Sequence, residues 1–152
     1  MILTNKGLDL PISGAPSADI DSSTTINTIA ILGPDYVGLK PTMLVKEGDT
    51  VSSGQKLFED KKNPGTYITS PSSGVVESIN RGEKRRFLSI TIDVDDSIEP
   101  TKFIAADYET PVKFLVDTGA LSYFKTRPYN RIPNKEDLPN AIFINACDTN
   151  PL

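Results

Sequence analysis

The 152-residue sequence contains no histidine and a single cysteine, Cys147. Histidine is the commonest metal ligand and the side chain whose unperturbed pKa lies nearest neutrality. Its absence excludes Ser/His and Cys/His nucleophilic chemistry, and His-ligated zinc hydrolysis, within this chain. A lone cysteine makes no internal disulfide and no thiolate cluster, and it suits a reducing compartment. No apolar run approaches the roughly 18 residues that suggest a membrane-spanning helix. The opening residues Met1-Ile2-Leu3-Thr4-Asn5-Lys6 lack the charged-then-apolar order of a secretory signal. The expectation is a soluble, cytoplasmic chain with no direct membrane span. Net charge is −4 and the only basic cluster is Lys84-Arg85-Arg86, so the broad cationic face that would neutralise nucleic-acid phosphates is missing. The 20 Asp and Glu residues leave a paired-carboxylate glycosidase arithmetically open, but no two of them stand in a recognisable pairing. No catalytic and no metal-binding residue is assigned.

What is present is a globular composition, 38% hydrophobic and 24% charged, which predicts a packed core. Residues 1–25 hold the turn formers Gly7, Pro11, Gly14 and Pro16 and a polar stretch from Asp19 to Thr25, which reads as an extended arm. Ile26 to Leu32 is rich in β-branched residues and closes at Gly33-Pro34, which predicts a strand. Turn signals then recur about every ten residues: Glu47-Gly48-Asp49, Ser52-Ser53-Gly54, Asn63-Pro64-Gly65, Ser72-Ser73-Gly74 and Arg81-Gly82. Such spacing without helical periodicity predicts a compact all-β unit, and Asn63-Pro64-Gly65-Thr66 suits a type II turn. Val45-Lys46-Glu47-Gly48-Asp49 and Ile79-Asn80-Arg81-Gly82-Glu83 echo each other, consistent with two similar β halves folded together. Beyond Pro100 the pattern changes. Thr110 can cap a helix starting at Pro111 and stopping at Gly119, and the apolar run 141–146 reads as a strand of a parallel sheet.

The stretch from Val45 to Phe58 resembles the first half of biotinyl and lipoyl carrier domains, and Ser70-Pro71-Ser72-Ser73-Gly74-Val75-Val76 resembles the second. Val51, Leu57 and Val75 are the residues expected to fill the small core. In carriers a lysine at the hairpin tip between the halves bears the cofactor. Asp60-Lys61 is similar to that site, but a Pro-Gly turn occupies the tip and the residues around Lys61 and Lys62 depart from the modified-lysine pattern.

A longer resemblance covers nearly the whole chain. The pieces 6–16, 35–43, 57–65, 124–128 and 148–152 look like the A-subunit family of the bacterial sodium-translocating NADH:quinone oxidoreductase. The fold that this implies is mainly β: a biotinyl/lipoyl-like barrel-sandwich hybrid over 26–104 after an N-terminal arm over 1–25. The beginning of a truncated Rossmann-like α/β domain follows over 105–152. Family members continue well past this length, so the chain is expected to be the N-terminal third of such a protein. The resemblance implies a peripheral place on the cytoplasmic face of the bacterial inner membrane, with the other, membrane-embedded subunits as partners. The implied complex is an NADH:ubiquinone reductase that exports sodium and uses NADH, ubiquinone, flavins and iron–sulfur centres, with flavins and clusters in other subunits. Relatives in complex I use a glycine-rich loop for flavin and NADH. The corresponding stretch 119–128 holds one glycine and two aromatics, so no cofactor is expected on this chain.

Candidate docking residues are Leu8, Leu10 and Ile12 in the arm and the basic pair Lys125 and Arg127; each has a plainer reading as internal packing or a solvated loop. Cys147 reads as a small core residue beside a buried strand, and Asp148, Thr149 and Asn150 follow that strand without an assigned ligand. Two function classes stay open at this point: a scaffold and docking subunit that contributes to quinone binding only within the full protein, and a covalent carrier with its cofactor on Lys61 or Lys62. A free-standing small-molecule binder would need an apolar pocket within 26–104.

Overall fold

The computed structural model describes residues 13–14 and 17–144. Among the described residues seven strands, β1 (Thr28–Leu32), β2 (Pro41–Met43), β3 (Thr50–Val51), β4 (Lys56–Asp60), β5 (Tyr67–Thr69), β6 (Gly74–Arg81) and β7 (Phe87–Val94), precede one α-helix, α1 (Pro111–Asp117). All pairings are antiparallel and form two sheets, one in the order β1-β7-β6-β3 and one in the order β2-β4-β5. Strand β1 begins two residues later than the sequence suggests, because pairing starts at Thr28 opposite Asp93 and Ile26 remains exposed. The described part of the arm, 13–14 and 17–25, is exposed throughout and forms neither helix nor strand.

The short strands follow from a repeated turn design. Asp49 N–H donates to Lys46 O, Gln55 N–H to Ser52 O and Thr66 N–H to Asn63 O, and the third residue of each turn is a glycine at φ between +85° and +88°. That conformation is open to glycine and costly for other residues, so each glycine sets where its chain reversal falls. The two echoed segments lie against each other. Glu47 Oε1 accepts the N–H of Ile79 at 2.8 Å, and Gly48 N–H and Asp49 O bond the two sides of Val76.

The core lies between the sheets. Leu57, Phe58, Ile90 and Ile92 are completely enclosed, and Val51, Ile68 and Val76 nearly so. A register shift between Lys56 and Phe58 turns both Leu57 and Phe58 inward, where strict alternation would expose one of them. The core differs from the sequence expectation at Val75. Val75 is 37% exposed and Val76 fills the core in its place, because Gly74 and Val76 share the inward face of β6. Gly74 is needed at this point, since a methyl group there would meet the carbonyl oxygen of Asp93 across the ladder.

Helix α1 starts as expected. Thr110 Oγ1 accepts the N–H of Lys113 at 3.2 Å, Pro111 takes the first helical position, and Gly119 ends the segment at φ +75°. Gly119 also sits on β5, so close that an added Cβ would lie 2.6 Å from Thr69 Cγ2. Lys56 on β4 fixes the other side of this contact, with Nζ 3.7 Å from Asp117 Oδ1 and 3.9 Å from the centre of the Tyr67 ring. The described part of the expected parallel strand, 141–144, is not in a strand: it has no partner strand among the described residues, and Ile142, Phe143 and Ile144 are exposed. Its remaining residues lie outside the described part.

Leu57→Ala is expected to lower stability by roughly 2–5 kcal/mol, since it empties a fully enclosed site. Gly119→Ala should cost roughly 1–3 kcal/mol, from a left-handed backbone and a lost close approach. Urea unfolding measures both; parental stability of Gly119→Ala would mean that the end of α1 does not rest on β5.

Candidate functional site

The position where a carrier domain would present its lysine is the β4–β5 hairpin, and its geometry is set by Asp60. This carboxylate is buried, and its Oδ1 accepts the backbone N–H groups of Lys40 and Lys62, both at 3.0 Å. The N–H of Lys61 donates to Lys40 O at 2.9 Å. The loop leading into β2 is thus stapled to the shoulder of the hairpin. The tip is held as well. Gly65 N–H donates to Glu59 Oε1 at 2.8 Å, Asn63 Nδ2 donates to Pro133 O at 3.0 Å, and the side chain of Lys135 lies over Gly65.

Lys62 Nζ donates to Gly38 O at 3.0 Å, so its ammonium is turned back onto the domain. Lys61 is exposed. A swinging arm needs a lysine that projects freely from the tip; here the turn Asn63–Thr66 forms the tip, and the segment around Pro133 and Lys135 covers it.

Between the loop and the hairpin lies a cavity of about 180 Å³ whose wall includes Tyr36, Leu39, Asp60, Asn63 and Arg131. Asn63 Oδ1 and, nearby in the same turn, Thr66 Oγ1 are buried and have no hydrogen-bond partner among the described residues. Buried acceptors of this kind are ordinarily met by water or by a small polar group. The cavity offers no nucleophile paired with a base. Among the described residues no three His, Cys, Asp or Glu side chains cluster as a metal site.

Of the expected docking residues, Lys125 is directed at its own chain. Its Nζ donates to Ser122 O at 3.1 Å and stands 5.2 Å from the centre of the Tyr36 ring. Burial lowers its pKa from the ordinary lysine value, with the charge of Asp35 acting in the opposite direction. Burial, then the neighbouring Tyr123 and Asp35, raise the Tyr36 hydroxyl above its usual range. Arg127 is exposed and lies over the Phe143 ring at 5.3 Å. Leu8, Leu10, Ile12, Cys147, Asp148, Thr149 and Asn150 lie outside the described residues. Sequence reasoning missed Asp60 as the organiser of the hairpin. The signal was available, since a carboxylate at the end of a strand just before a lysine pair and a Pro-Gly turn is well placed to accept backbone N–H groups.

The architecture is that of a barrel-sandwich hybrid domain joined to the opening of an α/β domain, with its carrier hairpin closed. Comparison with known proteins places the chain more narrowly. Residues 2–95 match the model of the NqrA N-terminal barrel-sandwich hybrid domain, and residues 106–152 that of the NqrA second alpha/beta domain. The chain belongs to this family, that of the NqrA subunit of the Na(+)-translocating NADH-quinone reductase. It is 48% identical to the NqrA protein of Actinobacillus pleuropneumoniae serotype 5b (strain L20), across all of the chain and 35% of the relative. It is 47% identical to the NqrA protein of Haemophilus influenzae (strain PittGG), again across all of the chain and 36% of the relative. The chain spans about a third of the length of the curated relatives it matches.

Asp60→Ala should cost roughly 1–3 kcal/mol because it strands two N–H donors, whereas Lys62→Met, at an exposed site, should cost less than about 1 kcal/mol. Thermal unfolding of the two variants checks this, and equal effects would show that Asp60 does not organise the hairpin.

Proposed function

We propose that the chain is the N-terminal part of a peripheral subunit that serves as scaffold and docking element in a complex coupling NADH oxidation and ubiquinone reduction to sodium export. The complex would be the enzyme, an NADH:ubiquinone reductase, and this part would carry no catalytic group of its own. The observation that carries the reading is the identity of nearly one half, along the whole chain, to NqrA relatives whose names place them in the Na(+)-translocating NADH-quinone reductase. The closed hairpin supports a scaffold over a carrier, because its turn is bonded to Pro133 and Lys62 to Gly38. We further propose a division into an arm over 1–25, a barrel-sandwich unit over 26–104 and an opening α/β unit over 105–152. Docking would use Leu8, Leu10 and Ile12 of the arm, together with Lys125 and Arg127, against membrane-embedded subunits on the cytoplasmic face. NADH, flavins, iron–sulfur centres and sodium would belong to other subunits, and any quinone contact would need the full-length protein.

Replacing the matching region of the Haemophilus influenzae protein with this chain is expected to preserve sodium-stimulated quinone reduction in membranes. A chimera that assembles with the other subunits but has lost that activity would overturn the reading. The second reading, a covalent carrier, is favoured by the exposure of Lys61 beside Asp60 at the hairpin. Intact mass after co-expression with lipoyl and biotin ligases separates the two: the scaffold requires an unmodified chain, and a mass gain mapped to Lys61 or Lys62 would establish the carrier.

A further inference from the structure

The hairpin joining β6 to β7 carries charge that the rest of the fold does not explain. Its turn, Glu83-Lys84-Arg85-Arg86, is closed by a bond from Arg86 N–H to Glu83 O at 3.1 Å, and its central residues Lys84 and Arg85 sit at φ +52° and +61°. Two successive left-handed residues define a type I′ turn, a position that favours Asn-Gly and disfavours long side chains. The sequence places Lys-Arg there instead. A disfavoured residue kept at a strained position is a reason to look for a task beyond folding.

The six residues 81–86 hold four cations, Arg81, Lys84, Arg85 and Arg86, against the single carboxylate of Glu83, in a chain whose net charge is −4. All four cations are exposed, and among the described residues none has a carboxylate within ion-pair distance. The tip extends past the last strand pair, Arg81 opposite Phe87. Leu88, 37% exposed, lies directly beneath it against Gly82. Arg81 also rims an open cleft of about 410 Å³ whose wall mixes Met43, Val45 and Ile79 with the charged Lys46 and Glu47, so the apolar support directly under the tip is Leu88. Concentrated positive charge, a protruding shape and an apolar residue directly behind it suit a plane of anionic headgroups over acyl chains. An acidic protein partner would instead be expected to meet a flatter face with an apolar centre.

We infer that the β6–β7 tip is a contact site for an anionic phospholipid surface, with Arg81, Lys84, Arg85 and Arg86 at the headgroups and Leu88 at the apolar boundary. The acidic remainder of the chain, repelled by the same surface, would orient the domain with this end inward. The inference draws on the reading above only in that the assembled protein works at a membrane. The isolated chain tests the tip without the assembly, so failure here leaves that reading standing.

The test is sedimentation of the 152-residue chain with phosphatidylglycerol vesicles and with phosphatidylcholine vesicles, at an ionic strength of about 0.15 M and again at about 1 M. Binding to phosphatidylglycerol alone, lost at high salt, is expected. The decisive variant is Lys84→Asn with Arg85→Gly, which installs the preferred I′ pair and so removes two charges while relaxing the backbone. Its melting temperature should equal or exceed the parent's. Vesicle affinity should fall roughly 25-fold, about fivefold for each cation lost near an anionic surface. Lys113→Gln with Lys135→Gln makes the same change in net charge elsewhere and should leave affinity near the parental value. The inference is overturned by absence of binding to phosphatidylglycerol, by equal binding to both lipids, or by equal losses in the two double variants. Tighter binding to soluble polyglutamate than to the vesicles would also overturn it, in favour of an acidic protein partner.

Discussion

The contact between Phe58 and Phe87 holds the two sheets in one domain. Their ring centres are 5.1 Å apart at an interplanar angle of 60°, an edge-to-face arrangement that sets the positive edge of one ring against the face of the other. Phe58 belongs to β4 of the smaller sheet and Phe87 opens β7 of the larger. Leu57, Ile90 and Ile92 fill the space around the pair. Gly33 faces Phe87 so closely that a side chain there would collide with its backbone oxygen. The register shift in β4, the turn after β1 and the start of β7 are therefore linked through one aromatic pair.

Each sheet is small, and the strands β2, β3 and β5 hold only two or three residues. Such strands bury too little to be stable alone, so the fold depends on closure between halves. The bond between the echoed segments, Glu47 to Ile79, and the neighbouring bond from Gly48 to Val76 supply that closure at one end. Asp60 supplies it at the hairpin, and the end of α1 seals β5. The same closure that stabilises the hairpin ties the exposed Lys62 ammonium back to Gly38 O.

Much of this was legible in the residues. The glycines at the third position of three turns located the strand boundaries, and the Thr110-Pro111 start and Gly119 stop located α1. Those signals are local, since a positive φ or a cap is decided within four or five residues. The core assignment of Val75 failed for a reason that is not local. Which of Val75 and Val76 faces inward depends on how Gly74 meets Asp93 and Val94 across the ladder, and a one-residue change of phase exchanges the faces. The apolar run 141–144 reads as a strand, yet a strand exists only with a partner, and the described residues provide none.

The sequence by itself determined the β class, the turn positions and the resemblance to the NqrA family, because composition, punctuation and motif order reside in the residues themselves. Tertiary structure alone decided that Lys62 is bonded to Gly38, that Lys125 turns toward Tyr36, and that the cations clustered in the sequence at 81–86 have no carboxylate within ion-pair distance among the described residues. Whether a charged side chain is bonded, buried or exposed depends on groups far away in the chain, and only the folded arrangement brings those groups within reach.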